Sequence, residues 1–222
     1  IKTKFLTKKD CNITNTNALK SYLKKFKPKY VINTAAYTDV SRAEHNKNIA
    51  KKINAQSVKN LSILSNEYNF ILLHISTDYV FNGRIKTKYN ELHKPIPKTI
   101  YGESKLLGEN YIIRNSKKFI IIRTSGVFSH FKSSFVHKIL IKSKDYKDIF
   151  VVSDQLCFPT YSFDLARLIW DITLDNNKLK LNEIYHYTGH EIPLSWYNFA
   201  KKIFIYAKKY NNFLPKIKPI KS

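Results

Sequence analysis

The sequence predicts an α/β protein built on a doubly wound parallel sheet. Three observations carry this reading: short, continuous apolar runs at 30–33, 70–75 and 119–123, stretches of helical period between them, and small or polar residues where the runs end. Runs that are apolar on both faces suit strands covered by helices on both sides. Such sheets place their ligands at the carboxyl ends of the strands.

Residues 14–26 read as a helix that stops before Pro28, with Thr14 or Thr16 as its N-cap and Leu19, Leu23 and Phe26 on one face. Tyr30 to Asn33 reads as a buried strand leading into Thr34, Ala35 and Ala36. A long helix is expected over 47–67, where Ile49, Ile53, Leu61 and Leu64 follow the turn spacing. The run from Phe70 to Ile75 is a second buried strand, ending in Ser76, Thr77 and Asp78. A loop with Gly83, Pro95 and Pro97 leads to a helix over 101–115 and a strand over 119–123. Beyond Asp148 the pattern is less regular: a strand from Ile149 to Val152, a loop over 154–160, a helix over 162–174, a strand from Glu183 to Thr188 and a helix over 195–208. The tail from Asn211, with Pro215 and Pro219 among lysines, reads as a frayed linker.

Composition bounds the function. Of the 222 residues, 43% are hydrophobic and 14% aromatic, ample for a packed core. The charge of +23, from 39 basic and 16 acidic side chains, would suit a nucleic-acid partner. The excess is nearly all Lys, and it accompanies abundant Asn, Ile, Tyr and Phe, residues that share AT-rich codons. It reads as compositional drift over solvated faces, and no nucleic-acid partner is expected. No apolar run reaches the roughly 18 residues that span a bilayer, so no membrane partner is expected either. Lys2, Lys4, Lys8 and Lys9 interrupt any signal-like start. Cys11 and Cys157 stand far apart in no ligand spacing, which leaves neither a disulfide framework nor a metal site and makes the cytoplasm the simplest compartment. His186 and His190 straddle a strand end and Gly189, so they do not share a face as zinc ligands on a helix do.

The five glycines fall well short of the roughly 15 that ordinary usage would give this length. None precedes Gly83, so the N-terminal third holds no glycine-rich phosphate loop. The chain starts at Ile1 and contains no Met, and a preceding segment is expected.

The candidate chemistry lies at strand ends. Tyr101 and Lys105 stand four residues apart, on one face of a helical turn. With 15 Tyr and so many Lys, about two Tyr-x-x-x-Lys matches arise by chance, and Tyr197 with Lys201 is a second. Context separates them: Tyr101 follows the strand end at Thr77 by 24 residues, whereas Tyr197 sits on a late amphipathic helix whose aromatic residues are expected to pack.

Taken together, Val31-Ile32-Asn33-Thr34-Ala35-Ala36-Tyr37-Thr38, Ser76-Thr77-Asp78-Tyr79-Val80-Phe81-Asn82-Gly83, Tyr101-Gly102-Glu103-Ser104-Lys105, Arg123-Thr124-Ser125 and Asp154-Gln155 with Pro159-Thr160 resemble the dTDP-4-dehydrorhamnose reductases. These are extended short-chain dehydrogenase/reductases, and the resemblance covers roughly residues 5–208. It implies a Rossmann-like domain in which NADPH, or NADH, reduces the C4 carbonyl of dTDP-4-dehydro-L-rhamnose to give dTDP-L-rhamnose for cell-surface polysaccharide. Tyr101 would be the general acid, Lys105 would favour its phenolate and hold the nicotinamide ribose, and Thr77 would bond the same carbonyl oxygen. Asp10, Cys11, Ala36, Tyr37, Thr38 and Ile75, with Tyr101 and Lys105, would line the cofactor. Asp78 would hold a sugar hydroxyl. Gly126 stands where the family places a Trp on the sugar, and Cys157-Phe158 replaces small residues in the following loop.

The resemblance divides the chain into 1–148, an incomplete NAD(P)-binding domain carrying the catalytic residues, and 149–222, a partial substrate-binding lobe mixed with the end of the sheet. The glycine-rich turn of the family would lie before Ile1. A nucleotide sugar is the implied partner, with Mg2+ and a homodimer as candidates. Two other readings stand beside the enzyme: a non-catalytic regulatory subunit of the methionine adenosyltransferase type, and a decayed remnant.

Overall fold

The computed structural model describes residues 2–85, 88–131, 134–175, 178–210 and 214–221. In chain order its first elements are α1 (Thr16–Phe26), β1 (Tyr30–Asn33), α2 (Val40–His45), α3 (Lys47–Lys51), a π-helical turn (Lys52–Gln56), α4 (Ser57–Glu67), β2 (Ile71–Thr77), a 3-10 turn (Asp78–Val80), α5 (Ile100–Asn115) and β3 (Phe119–Thr124). There follow β4 (Val127–Phe128), α6 (Phe135–Asp145), β5 (Asp148–Val152), β6 (Leu156–Cys157), β7 (Thr160–Tyr161), α7 (Ser162–Leu174), β8 (Glu183–His186), β9 (Leu194–Ser195), α8 (Trp196–Ala207) and β10 (Lys216–Ile220). They form two compact units, Ile1–Arg123 with Asn177–His186, and Thr124–Asn176 with Tyr187–Ser222. The first unit ends its continuous stretch at Arg123, and β8 returns to that unit's sheet.

The first unit carries a sheet of order β1-β2-β3-β8, with β1 parallel to β2 and β3 parallel to β8. Alternate residues Phe70, Leu72, Phe119 and Ile121 pack with Leu23 of α1, Val58, Leu61 and Leu64 of α4 and Ile112 of α5. Leu73, Ile120 and Ile122, which point to the other face, are equally buried. The fold is the parallel α/β, Rossmann-like architecture expected.

Local chemistry explains where elements begin and bend. Asn15, not Thr14 or Thr16, caps α1: its side-chain oxygen accepts the Ala18 N–H at 3.1 Å, while Thr14 bonds Asn12 and Thr16 is already helical. The expected helix over 47–67 is continuous but wound one residue wider at 52–56. That widening lets α5 approach closely, for a Cβ on Gly108 would overlap the Asn54 carbonyl. Left-handed turns, where glycine is usual, are taken by Lys27, Asn69 and Asn182. Asn182 also pins the strand pair, its side chain and its N–H bonding the Phe119 N–H and carbonyl.

A buried ion pair ties α5 to β3. Glu109, fully buried, receives the Arg123 guanidinium at 2.6 Å on one oxygen and the Ser76 hydroxyl on the other. The guanidinium also lies 5.2 Å from the centre of the Phe81 ring, which stacks on Tyr89.

In the second unit β5 pairs parallel with β10 and is covered by α6 and α8 through Ile139, Ile149, Val151, Phe199, Ala200 and Ile203. The tail is therefore a strand over Lys216–Ile220, not a frayed linker; Asn211–Phe213 lie outside the described residues. Lys218 reaches Asp148 at 2.7 Å, which lets a lysine-rich segment pair. α2 and α6 had no counterpart in the sequence reading. Tyr197 packs on this core, with Lys201 5.5 Å from its ring centre.

Two stability changes follow from this packing. Gly108→Ala forces α5 off the π turn and should cost about 1–3 kcal/mol, read from urea unfolding. Arg123→Leu leaves a buried carboxylate without its cation and should cost about 3–5 kcal/mol in the same assay, whereas exposed Lys20→Leu should change little.

Candidate active site

The site is built at the carboxyl end of β2. Thr77 closes the strand and caps the 3-10 turn, its hydroxyl accepting the Tyr79 N–H at 3.2 Å and lying 3.1 Å from an Asp78 carboxylate oxygen. α5 begins at Ile100 under a Thr99 cap, with the Ile100 N–H held by Glu44 at 2.8 Å. A Cβ on Gly102 would overlap the Tyr79 carbonyl, so glycine is what allows α5 to press against the 3-10 turn. This contact sets Tyr101 edge-on to Tyr79, at 5.4 Å between ring centres, and within a hydrogen bond of Thr77.

Burial pushes the Tyr101 phenol up to about 12; the Thr77 hydrogen bond works against the rise, and the charge of Asp78 adds to it. Lys105, one turn along, is 2% exposed and turned inward, its Nζ 3.0 Å from His74 Nε2 and donating to the Ile75 carbonyl at 2.7 Å. Desolvation lowers Lys105 to about 8, with Glu109 acting in the opposite sense. A lysine one turn from a phenol was expected to lower it. Here Lys105 is turned inward onto His74 and the Ile75 carbonyl, and burial of the ring raises the phenol instead.

The expected residues fall into three places. Thr77, Asp78, Ile75, Tyr101 and Lys105 converge at the ends of β2 and α5. Ala36, Tyr37 and Thr38 follow the end of β1, and their backbone is fixed by Asn54: its side chain accepts the Tyr37 N–H at 2.8 Å, donates to the Tyr37 carbonyl at 3.0 Å and donates to Ser104 at 2.9 Å. Asp10 and Cys11 sit in a turn closed by Thr7, whose N–H and hydroxyl bond the Asp10 carboxylate at 2.8 and 2.6 Å. Gly126 lies in the second unit at φ 54°, a backbone conformation that side chains rarely adopt, with the Phe158 carbonyl 3.2 Å from where a Cβ would stand.

Sequence reading missed Asn33, Asn54, His74 and Glu109, all buried. Each is a polar residue inside an apolar strand or on the covered face of a helix, and that misfit was the available signal. Among the described residues no three His, Cys, Asp or Glu side chains are grouped to hold a metal ion, and the Mg2+ expectation gains no support. No described helix is long and apolar enough to cross a membrane.

The site can accommodate part of a nicotinamide nucleotide. The end of β1 carries small, accessible residues, Thr34 to Ala36, on a backbone braced from beneath by Asn33 and Asn54. With no glycine before Gly83, a glycine-rich pyrophosphate turn is not among these residues.

Comparison with known proteins agrees with this geometry. The family model of the RmlD substrate binding domain matches residues 1–222. A dTDP-4-dehydrorhamnose reductase of Aggregatibacter actinomycetemcomitans is 39% identical over 200 residues, 88% of this chain and 67% of the relative. The spore coat polysaccharide biosynthesis protein SpsK of Bacillus subtilis is 39% identical over 198 residues, 89% of this chain and 68% of the relative. Among solved structures, dTDP-4-dehydrorhamnose reductase of Bacillus anthracis in complex with NADP superposes with a TM-score of 0.89 at 34% identity, over 98% of this chain and 75% of that one. With the family model matching the whole chain and relatives 39% identical over most of it, the chain belongs to the RmlD substrate-binding-domain family.

Proposed function

We propose that this chain forms the larger part of an NADPH-dependent reductase acting on the C4 carbonyl of dTDP-4-dehydro-L-rhamnose. The convergence of Thr77, Tyr101 and Lys105 carries the reading, because a carbonyl reduction needs a proton donor and a second hydrogen bond on the same oxygen. The names borne by the relatives support the sugar nucleotide, and the NADP of the Bacillus anthracis structure supports the cofactor. When bound, that cofactor supplies the hydride.

The chain's own residues do the rest. Tyr101 gives its phenolic proton to the oxygen as negative charge develops there, and Thr77 donates a hydrogen bond to that oxygen. Asp78 accepts from a sugar hydroxyl. Lys105 holds the ribose hydroxyls and, once its ammonium faces the phenol, offsets the penalty that burial places on the phenolate. Ala36, Tyr37 and Thr38 lie along the nucleotide, with Ile75 beside the nicotinamide and Asp10 and Cys11 towards the adenine. The family match favours the enzyme over the regulatory-subunit reading. A homodimer belongs to the same proposal.

In the full-length protein, NADPH oxidation with the dehydrorhamnose nucleotide should fall by about 100-fold to 10,000-fold in Tyr101→Phe. Turnover at the wild-type rate in that variant would remove Tyr101 from the role of acid.

A further inference from the structure

Beneath Lys105 runs a line of hydrogen bonds whose protons can be counted. The Asn33 side-chain oxygen accepts the Ala35 N–H at 3.1 Å, so the amide nitrogen is the end that faces His74 Nδ1, at 3.0 Å. An amide N–H can only donate, and Nδ1 must therefore accept. In a neutral ring the proton is then on Nε2, which lies 3.0 Å from Lys105 Nζ. That N–H needs an acceptor, and a lysine nitrogen accepts only as an amine; as an amine it still donates to the Ile75 carbonyl at 2.7 Å. All four groups are satisfied with one set of protons, and Asn33, His74 and Lys105 are each less than 5% exposed, so a mismatch would be costly.

We propose that His74 and Asn33 are positioning residues that couple the charge of Lys105 to the orientation of the Asn33 amide and, through it, to the backbone at the end of β1. When Lys105 takes a proton from solvent it has only donors. His74 Nε2 must then accept, the ring proton leaves Nε2 while another is gained at Nδ1, and the net charge of the ring is unchanged. Nδ1–H now needs an acceptor, which Asn33 supplies by turning its oxygen towards the ring and releasing the Ala35 N–H. The segment after β1 thus feels the charge on Lys105, and anything bound along that segment feeds back on it.

The surroundings suit the device. Burial, together with Lys105, keeps His74 well below the ordinary imidazole range, so the ring switches tautomer instead of charging. The other charged groups near Lys105 are Glu109 in α5, already paired with Arg123 of β3, and Asp78 of the 3-10 turn, which acts on Tyr101; Glu44 of α2 is bonded to the start of α5.

The inference deepens the reductase reading and rests on it for the catalytic consequence, but the ring tautomer is read without turnover. Long-range nitrogen-15 correlation spectra of full-length protein should show His74 passing from Nδ1–H to Nε2–H between about pH 6 and about pH 10. Asn33→Asp, whose carboxylate can accept from both Ala35 and Nδ1, should hold the Nδ1–H form throughout. It should also move the alkaline limb of the activity profile up by about one pH unit or more. A merely structural role would lower stability and leave tautomer and limb where they are. A wild-type tautomer that does not change over this range overturns the proposal, as does a switch that persists unmoved in a folded Asn33→Asp; if that variant does not fold, the wild-type spectrum decides. Absent reductase activity with an intact switch would instead sink the reading of the function.

Discussion

The buried carboxylate of Glu109 is the constraint on which the first unit depends. A charge with no exposure survives only where its oxygens are met by donors, and Glu109 meets Arg123 from β3 and Ser76 from β2. The helix can satisfy that requirement at only one rotation and one height on the sheet. Since Glu109 stands one turn beyond Lys105, which stands one turn beyond Tyr101, fixing the first fixes the other two. The same guanidinium covers Phe81, so the loop after β2 is drawn to the same point. Its contribution is specificity of placement more than net stability, because both charges had to leave water to make it.

Around that anchor, glycines and amides do the fine positioning. Gly102 and Gly108 let α5 lie against backbone on two sides, the 3-10 turn after β2 and the π turn before α4. Asn54, fully buried in the π turn, bonds both the loop after β1 and Ser104 of α5. Cofactor-side backbone and catalytic helix are held by one side chain.

What could be read from the sequence was what burial writes repeatedly. The runs within β2 and β3 are apolar because both faces are covered, whereas β1, expected to be buried, is half-buried with Ile32 38% exposed; α7 and α8 show their periods plainly. Tyr101 and Lys105 were separable from Tyr197 and Lys201 only by the strand end that precedes them. What escaped was written once. Asn15 as a cap depends on a single side-chain bond, α2 is too short to show a period, and α6 buries little beyond Ile139 and Ser143. β10 is a strand of Lys, Ile and Pro because it lies at an edge, where alternate side chains reach solvent. His74, Asn33 and Glu109 looked like interruptions, although a polar group kept inside an apolar run must have a partner waiting for it.

In a chain this poor in glycine, the positions that carry one are informative. Left-handed turns that glycine usually serves are taken by Lys27, Asn69 and Asn182, the last of which also bonds the neighbouring strand. Gly102 and Gly108 remain where the obstacle is another stretch of main chain, which no choice of side chain can move. At these two positions glycine marks steric necessity, and both fall on the helix that carries Tyr101 and Lys105.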